Sequence, residues 1–363
     1  MKSGSLPYVP AVDGLRGLAV VMVVCAHAVP NLLVGRIGVD AFFVLSGYLI
    51  TTILLAEWRS RGRIDLKAFY MRRLLRLAPP LAVVLTAYVA ATPLWLSQGV
   101  SLPQLYIVWL TSITYTWNLL IVALGELPGG VLGALSHLWS LAQEEQFYLV
   151  FPLALVVALR RRVGARALMW ALVGIGVAML IAYVVTAPSV FAEFSPVTRG
   201  FGLLAGCVLA VGRWGWAGFR FGASTAWAAV LGLACVIAAI GARWLPIDAD
   251  IPTAVLAFFV ITAHVSTAPD STLSRVLGRK SMVWLGLVSY SLYLWHLPLL
   301  VLTHEVFGMS ALASALAAIP AALLLAELTR RYVESPMARV KERWVRSGTA
   351  LEPSSPLSPA PHE

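Results

Sequence analysis

The sequence predicts an all-α fold: a polytopic transmembrane helix bundle with about ten spans, one re-entrant or interfacial segment and both termini cytosolic. Three observations predict it. Of the 363 residues 60% are hydrophobic, only 12% are charged, and the mean hydropathy is +0.83. Ordinary soluble domains carry about 25% charged residues, so a water-soluble globule is excluded. The apolar residues fall in runs of about twenty, the length that crosses a bilayer as a helix. The net charge of +10 does not point to nucleic acid, because the basic residues lie between those runs and act as topology signals.

The first run covers 15–33 and the second 39–57. Leu18 to Cys25, followed by Ala26, His27 and Ala28, has the outline of a signal peptide. The preceding stretch, however, carries Asp13 with only Lys2 and Arg16, and a second run follows at once, so an uncleaved helix is expected. Between the second and third runs stand Arg59, Arg61, Arg63, Lys67, Arg72, Arg73 and Arg76, a density that marks the cytosolic side. Later runs cover 77–96, 139–159, 168–186, 199–212, 224–244, 251–268, 283–303 and 310–330.

One further segment, 104–124, is apolar on average but carries Thr111, Ser112, Thr114, Tyr115, Thr116 and Asn118. If it crossed, the basic clusters from Arg160 onward would move outside, against the positive-inside bias. It is therefore expected to be re-entrant or interfacial. The membrane domain is placed at 1–342 and a disordered cytosolic tail at 343–363, ending in the Pro/Ser-rich SGTALEPSSPLSPAPHE. Cys25, Cys207 and Cys235 lie in apolar stretches without metal-ligand spacing, so they are expected to be small core residues, with no disulfide and no metal.

Ionisable groups in lipid are costly, which makes each a functional candidate. Arg16 and His27, eleven positions apart, share one face of the first helix, about 16 Å apart along it. Asp40 sits as far past the first hairpin turn as His27 sits before it, so the two are expected at similar depth. An Asp beside a His fixes its tautomer and supports the imidazolium, and a self-satisfied polar pair is the plainer alternative. His137, Glu144 and Tyr148 form one stripe at the start of the fourth span, with Glu144 expected inside the bundle at the depth of His27.

Arg72, Arg73 and Arg76 precede Pro79 and Pro80 at the third span, and Arg72 and Arg76 are expected to share a face. Such a cluster binds phosphates, or equally the headgroups of anionic membrane lipid. Tyr290, Tyr293 and His296 form a polar stripe that either lines a substrate cavity or hydrogen-bonds between helices. Glu305, Glu327 and Arg243 are near span ends, within reach of the interface.

Taken in order, DGLRGLAVVMVVCAH, GVDAFFVLSGYLIT, FYMRRLLRLAPPL, HLWSLAQEEQFYLVFP and SYSLYLWHLPL resemble the motifs of the acyltransferase 3 family of integral membrane O-acyltransferases. The resemblance runs over about residues 8–340 and rests on the ordered set, since each motif alone is loose. It implies transfer of an acyl group, usually acetyl, from a cytosolic coenzyme A thioester to a hydroxyl of a carbohydrate-containing acceptor such as a surface glycan or glycolipid. It also implies a bacterial cytoplasmic membrane location. Macrolide-type metabolites are an alternative acceptor. Many long members add an extracytoplasmic hydrolase-like domain at the C-terminus. The given sequence lacks one, so a lipid-linked or small acceptor, or a separate extracytoplasmic partner, is expected.

On this reading Arg16, Arg72, Arg73 and Arg76 hold the acyl-CoA donor, and His27, oriented by Asp40 and assisted by Glu144, does the proton work. His137, Tyr148, Tyr293 and His296 line the substrate path. From residues alone a proton-coupled transporter is the rival, because intramembrane His, Asp and Glu suit it as well.

Overall fold

The computed structural model describes residues 8–29, 34–216, 221–242, 244 and 247–340, and these form helices and turns with no strand among them. The helices are α1 (Pro10–Ala28), α2 (Val34–Arg61), α3 (Leu66–Ala90), α4 (Thr92–Leu96), α5 (Leu102–Ile113), α6 (Trp117–Leu124), α7 (Leu138–Arg160) and α8 (Ala165–Thr186). There follow α9 (Val190–Phe194), α10 (Pro196–Arg199), α11 (Phe201–Gly215), α12 (Ala223–Gly241), α13 (Asp250–Val265), α14 (Thr272–Leu277), α15 (Lys280–Val301) and α16 (Ala311–Thr329). The expected tail, together with Lys2, Arg220 and Arg243, lies outside the described residues.

Each of the ten apolar runs contains helix over its described residues. Eight helices are long and apolar enough to cross a membrane by length and composition. The runs at 199–212 and 251–268 correspond to α11 and α13, of 15 and 16 residues, each somewhat short of a ~30 Å hydrocarbon core. The segment at 104–124 divides into α5 and α6, of 12 and 8 residues, neither able to cross alone. The break falls at Tyr115, whose φ of 55° is left-handed, while the Thr114 hydroxyl donates to the Leu110 carbonyl at 2.7 Å.

Helix directions follow from the contacts. Gly35 and Gly38 of α2 lie against Ala26 and Ala19 of α1, an antiparallel hairpin. α15 runs parallel to α1, with Gly286 at Asp13 and His296 at His27, and a β-carbon on Gly286 would overlap the Asp13 carbonyl. Small residues thus let the two backbones touch, the usual means of close packing in lipid. α11 runs parallel to α2, from Gly202 at Phe43 to the Trp214 carbonyl at Arg59. Between α3 and α7, a 3-10 turn at Gly130–Leu135 packs on α15 and on the π turn that follows it, so α7 starts at the end of the bundle that holds His27.

Burial separates an inner group of helices from an outer one. Over their apolar windows α1, α2 and α15 are 56%, 67% and 61% buried, whereas α8 and α12 are each 17% buried and present Leu, Val and Ile outward. Arg16, His27, Asp40, His137, Glu144, Tyr148, Tyr290, Tyr293 and His296 sit on this inner group or on α7 beside it.

Candidate active site

At the arginine end, α1, α2, α3, α7 and α15 enclose a cavity of about 330 Å³. Arg16, Arg73, Arg76, Ser46, Glu144 and Tyr148 are among its walls. Arg16 donates to the Ser289 hydroxyl at 3.1 Å and lies 3.7 Å from the Asp13 carboxylate. Arg73 donates to Glu145 at 2.5 Å and stacks 3.4 Å over the Tyr148 ring, which in turn donates to Glu144 at 3.5 Å. Arg76 also lines this cavity and forms no ion pair within 4 Å among the described residues, although the Glu334 carboxylate is close enough to act on it. Arg72 departs from the expected cluster. It turns to Glu57 of α2 at 3.5 Å and does not line the cavity, because it lies one turn, about 6 Å, before Arg76 on α3.

At the other end of α1, His27 meets two more imidazoles. The His27 and His296 rings are 5.0 Å apart, as are those of His296 and His137. His27 Nδ1 lies 2.9 Å from the Val23 carbonyl, which can only accept, so the neutral ring carries its proton on Nδ1 and its lone pair on Nε2. His296 Nδ1 likewise donates to the Tyr293 carbonyl at 2.7 Å, leaving its Nε2 as an acceptor 3.3 Å from His27 Nδ1, whose one N–H is shared, three-centred, between the Val23 carbonyl and His296. This tautomer assignment rests on the hydrogen-bond geometry. His137 is buried, and neither of its ring nitrogens has a partner among the described residues.

Tyr293 joins the two ends. Its ring packs 4.9 Å from His137, and its hydroxyl lies 2.8 Å from Ser140 Oγ and donates to the His137 carbonyl. Tyr293 also lines the arginine cavity, so a layer of Tyr293, His137 and His296 stands between that cavity and His27. Tyr290 donates across to the Leu77 carbonyl at 2.8 Å. The tyrosines of this stripe therefore do both things expected of it: they wall a cavity and tie helices together.

Two expected placements are corrected. Asp40 does not meet His27: it is fully buried and ion-paired with Arg199 at 2.8 Å. Neither depth nor azimuth followed from distance along the hairpin: Gly35 meets Ala26 and Gly38 meets Ala19 and Met22, so Asp40 lies about 10 Å from the level of His27. Gly38 faces α1, and Asp40, two residues on, is about 200° around α2, facing α10 and α13. Glu144 does not share the depth of His27 either. Because α7 starts beside His296, it is His137 that reaches that level, and Glu144, seven residues on, is about 10 Å nearer the arginines.

Arg199 was missed as a partner because, opening an apolar run, it resembled a span boundary. A lone arginine that close to hydrocarbon was the available signal. Ser46, Ser140 and Ser289 also escaped notice, since single serines in apolar helices have no spacing signature.

The acyltransferase 3 family model, an acyltransferase domain, matches residues 9–330. The peptidoglycan O-acetyltransferase OatA of Listeria monocytogenes is 33% identical over 92% of this chain and 56% of its own length. The O-acetyltransferase OatA of Staphylococcus aureus is 30% identical over 92% of this chain and 57% of its own. The chain thus spans little more than half the length of these relatives. No solved structure matches it. The ordered motifs, the all-helical bundle around them and the match over residues 9–330 lead to one identification: the chain belongs to the acyltransferase 3 family.

Proposed function

We propose that the chain is a membrane O-acyltransferase that moves acetyl from coenzyme A to a hydroxyl of a carbohydrate-containing acceptor. The observation that carries the reading is the pairing, on one face of α1, of an arginine-lined cavity with a histidine whose tautomer leaves Nε2 basic. Arg16, Arg73 and Arg76 suit the phosphates of the donor, which Arg grips in bidentate fashion. The pantetheine arm then extends along α1 and passes the Tyr293 layer, which must part to bring the thioester beside His27. The names of the relatives, O-acetyltransferases and in one case of peptidoglycan, favour acetyl and a glycan.

In the reaction His27 Nε2 removes the proton of the acceptor hydroxyl as its oxygen forms the bond to the acyl carbon. The carbon–sulfur bond breaks, and the imidazolium returns its proton to the departing thiolate, so no proton is gained or lost. His296, accepting from His27 Nδ1–H, takes the orienting role first assigned to Asp40. Glu144, in the arginine cavity, orients the donor or shares the proton work. The donor reaches the arginine end from the cytosol, in a bundle of ten crossings with both termini cytosolic, in a bacterial cytoplasmic membrane.

Labelled acetyl-CoA supplied to membranes carrying wild type or His27→Ala tests this. The variant is expected to release coenzyme A at least about 100-fold more slowly, the lower range for loss of a general base. Equal rates would remove His27 from the chemistry. Cysteines introduced for Val100 and Gly164 should label from opposite sides of sealed vesicles, and labelling from one side would overturn the topology.

A second reading has an observation of its own. Cavities on both sides of a Tyr–His layer also describe an occluded proton-coupled carrier. Movement of a solute without any consumption of acetyl-CoA would favour it.

A further inference from the structure

His27 also forms part of the wall of a second cavity, of about 250 Å³, on the side away from the arginines. Its apolar wall is Leu297, Leu300, Val301 and Ala311, from the last turns of α15 and the start of α16. After Val301 the chain widens into a π turn, Leu302–Val306, a departure from α geometry that is frequent at functional sites. The turn is held to α16 by the Thr303 and Ser314 hydroxyls, 2.5 Å apart, and it brings His304 and Glu305 to the cavity.

The chemistry of that pair is selective. His304 Nδ1 donates to the Met309 carbonyl at 2.8 Å, so in the neutral ring Nε2 is an acceptor. Glu305 lies 4.0 Å from His304 and receives no hydrogen bond among the described residues. Both are exposed, and His27, at the inner wall, completes a set of three groups that accept hydrogen bonds. A ligand made for this set donates several hydrogen bonds and carries no negative charge, which the Glu305 carboxylate would repel. The volume is below the roughly 300–1,000 Å³ of pockets enclosing drug-sized ligands, and suits a single ring or the end of a longer molecule.

We propose that this cavity is the acceptor subsite, that it takes one neutral polyhydroxyl ring, and that Glu305, with His304, positions the ring's hydroxyls so that one of them reaches His27. The proposal rests on the acyl-transfer reading above. It separates the substrates by chemistry: phosphate recognition at the arginine end, and hydroxyl recognition with rejection of anions at the π turn. Glu305 is a specificity residue here and takes no part in the bond changes.

The test uses the full chain in lipid nanodiscs, with acetyl-CoA as donor and methyl β-D-glucopyranoside or its C6-carboxylate counterpart as acceptor. Glu305→Gln is expected to raise the KM for the neutral glucoside about tenfold or more, the cost of weakening hydrogen bonds to a charged group. The KM for acetyl-CoA should not change, and the preference for the neutral over the anionic glucoside should narrow. Ala311→Trp, filling the cavity from α16, should stop transfer while acetyl-CoA still binds. A turnover-independent reading is protection of Ala311→Cys from maleimide by the neutral glucoside.

An unchanged glucoside KM in Glu305→Gln, or transfer undisturbed by Ala311→Trp, would overturn the subsite. So would acetyl-CoA consumption with no transfer to the neutral glucoside and no protection of Ala311→Cys. If wild type consumes no acetyl-CoA whatever is offered, the acyl-transfer reading itself fails. The two failures are thereby distinguishable.

Discussion

Asp40 and Glu144 are both carboxylates in apolar helices with arginine close by, yet their surroundings are opposite. Asp40 and Arg199 are sealed, with side chains 1% and 0% exposed, 2.8 Å apart and joined to a wider set in which Arg36 meets Glu193, Asp248 and Asp250. Glu144 faces a cavity of about 330 Å³, and the nearby Arg73 is engaged by its neighbour Glu145. The first carboxylate is answered by the protein itself and ties α2 to α10. The second remains available to a molecule that enters. An intramembrane charge is thus open to chemistry when it faces a cavity, and closed to it when the protein seals it against its own partner.

The largest effect that sharpens this contrast is on stability. We predict that Asp40→Ala, which strands Arg199, costs about 3–5 kcal/mol, the usual penalty for breaking a buried pair from one side. Thermal unfolding in detergent should show it, and replacing Asp40 and Arg199 together should recover much of the loss. A stable Asp40→Ala protein with impaired turnover would instead return Asp40 to the chemistry.

Glu144→Gln should divide the other way. Its unfolding midpoint should stay near wild type, while turnover falls about 10- to 100-fold, in the range of a group that orients substrate or shares a proton. Equal damage to stability and turnover would make the two carboxylates alike.

The smallest expected effects separate two arginines four residues apart. Arg76→Gln should weaken acetyl-CoA binding about tenfold, through loss of one charge-assisted contact. Arg72→Gln should change donor affinity little, because Arg72 faces Glu57 in a partly exposed pair of the kind worth at most about 1 kcal/mol. Donor titrations on both variants check the difference. If Arg72→Gln weakens binding as much, the donor's path extends beyond the cavity walls.

Much of the fold was legible in the sequence, because hydropathy and helical period are local properties. Each apolar run contains helix over its described residues, and the 104–124 segment breaks at its threonines and Tyr115. The shared face of Arg16 and His27 needed only the pitch of one helix, as did the stripe of His137, Glu144 and Tyr148. The candidate residues could be picked out along the sequence, but their contacts could not. His27 meets His296 across 269 positions, and no spacing rule reaches that far.

By itself, then, the sequence determined that this chain forms apolar helices, which faces of them are polar, and which motifs place it in its family. Tertiary structure alone decided the partners: Arg199 for Asp40, His296 for His27, Glu57 for Arg72. The reason is geometric. Distance along one helix accumulates by a fixed rise per residue and can be counted along the chain, but the level at which two helices meet cannot. The direction in which each side chain meets its neighbour depends on how helices rotate and cross, and that is set only when glycines such as Gly38 and Gly286 let particular backbones close on one another.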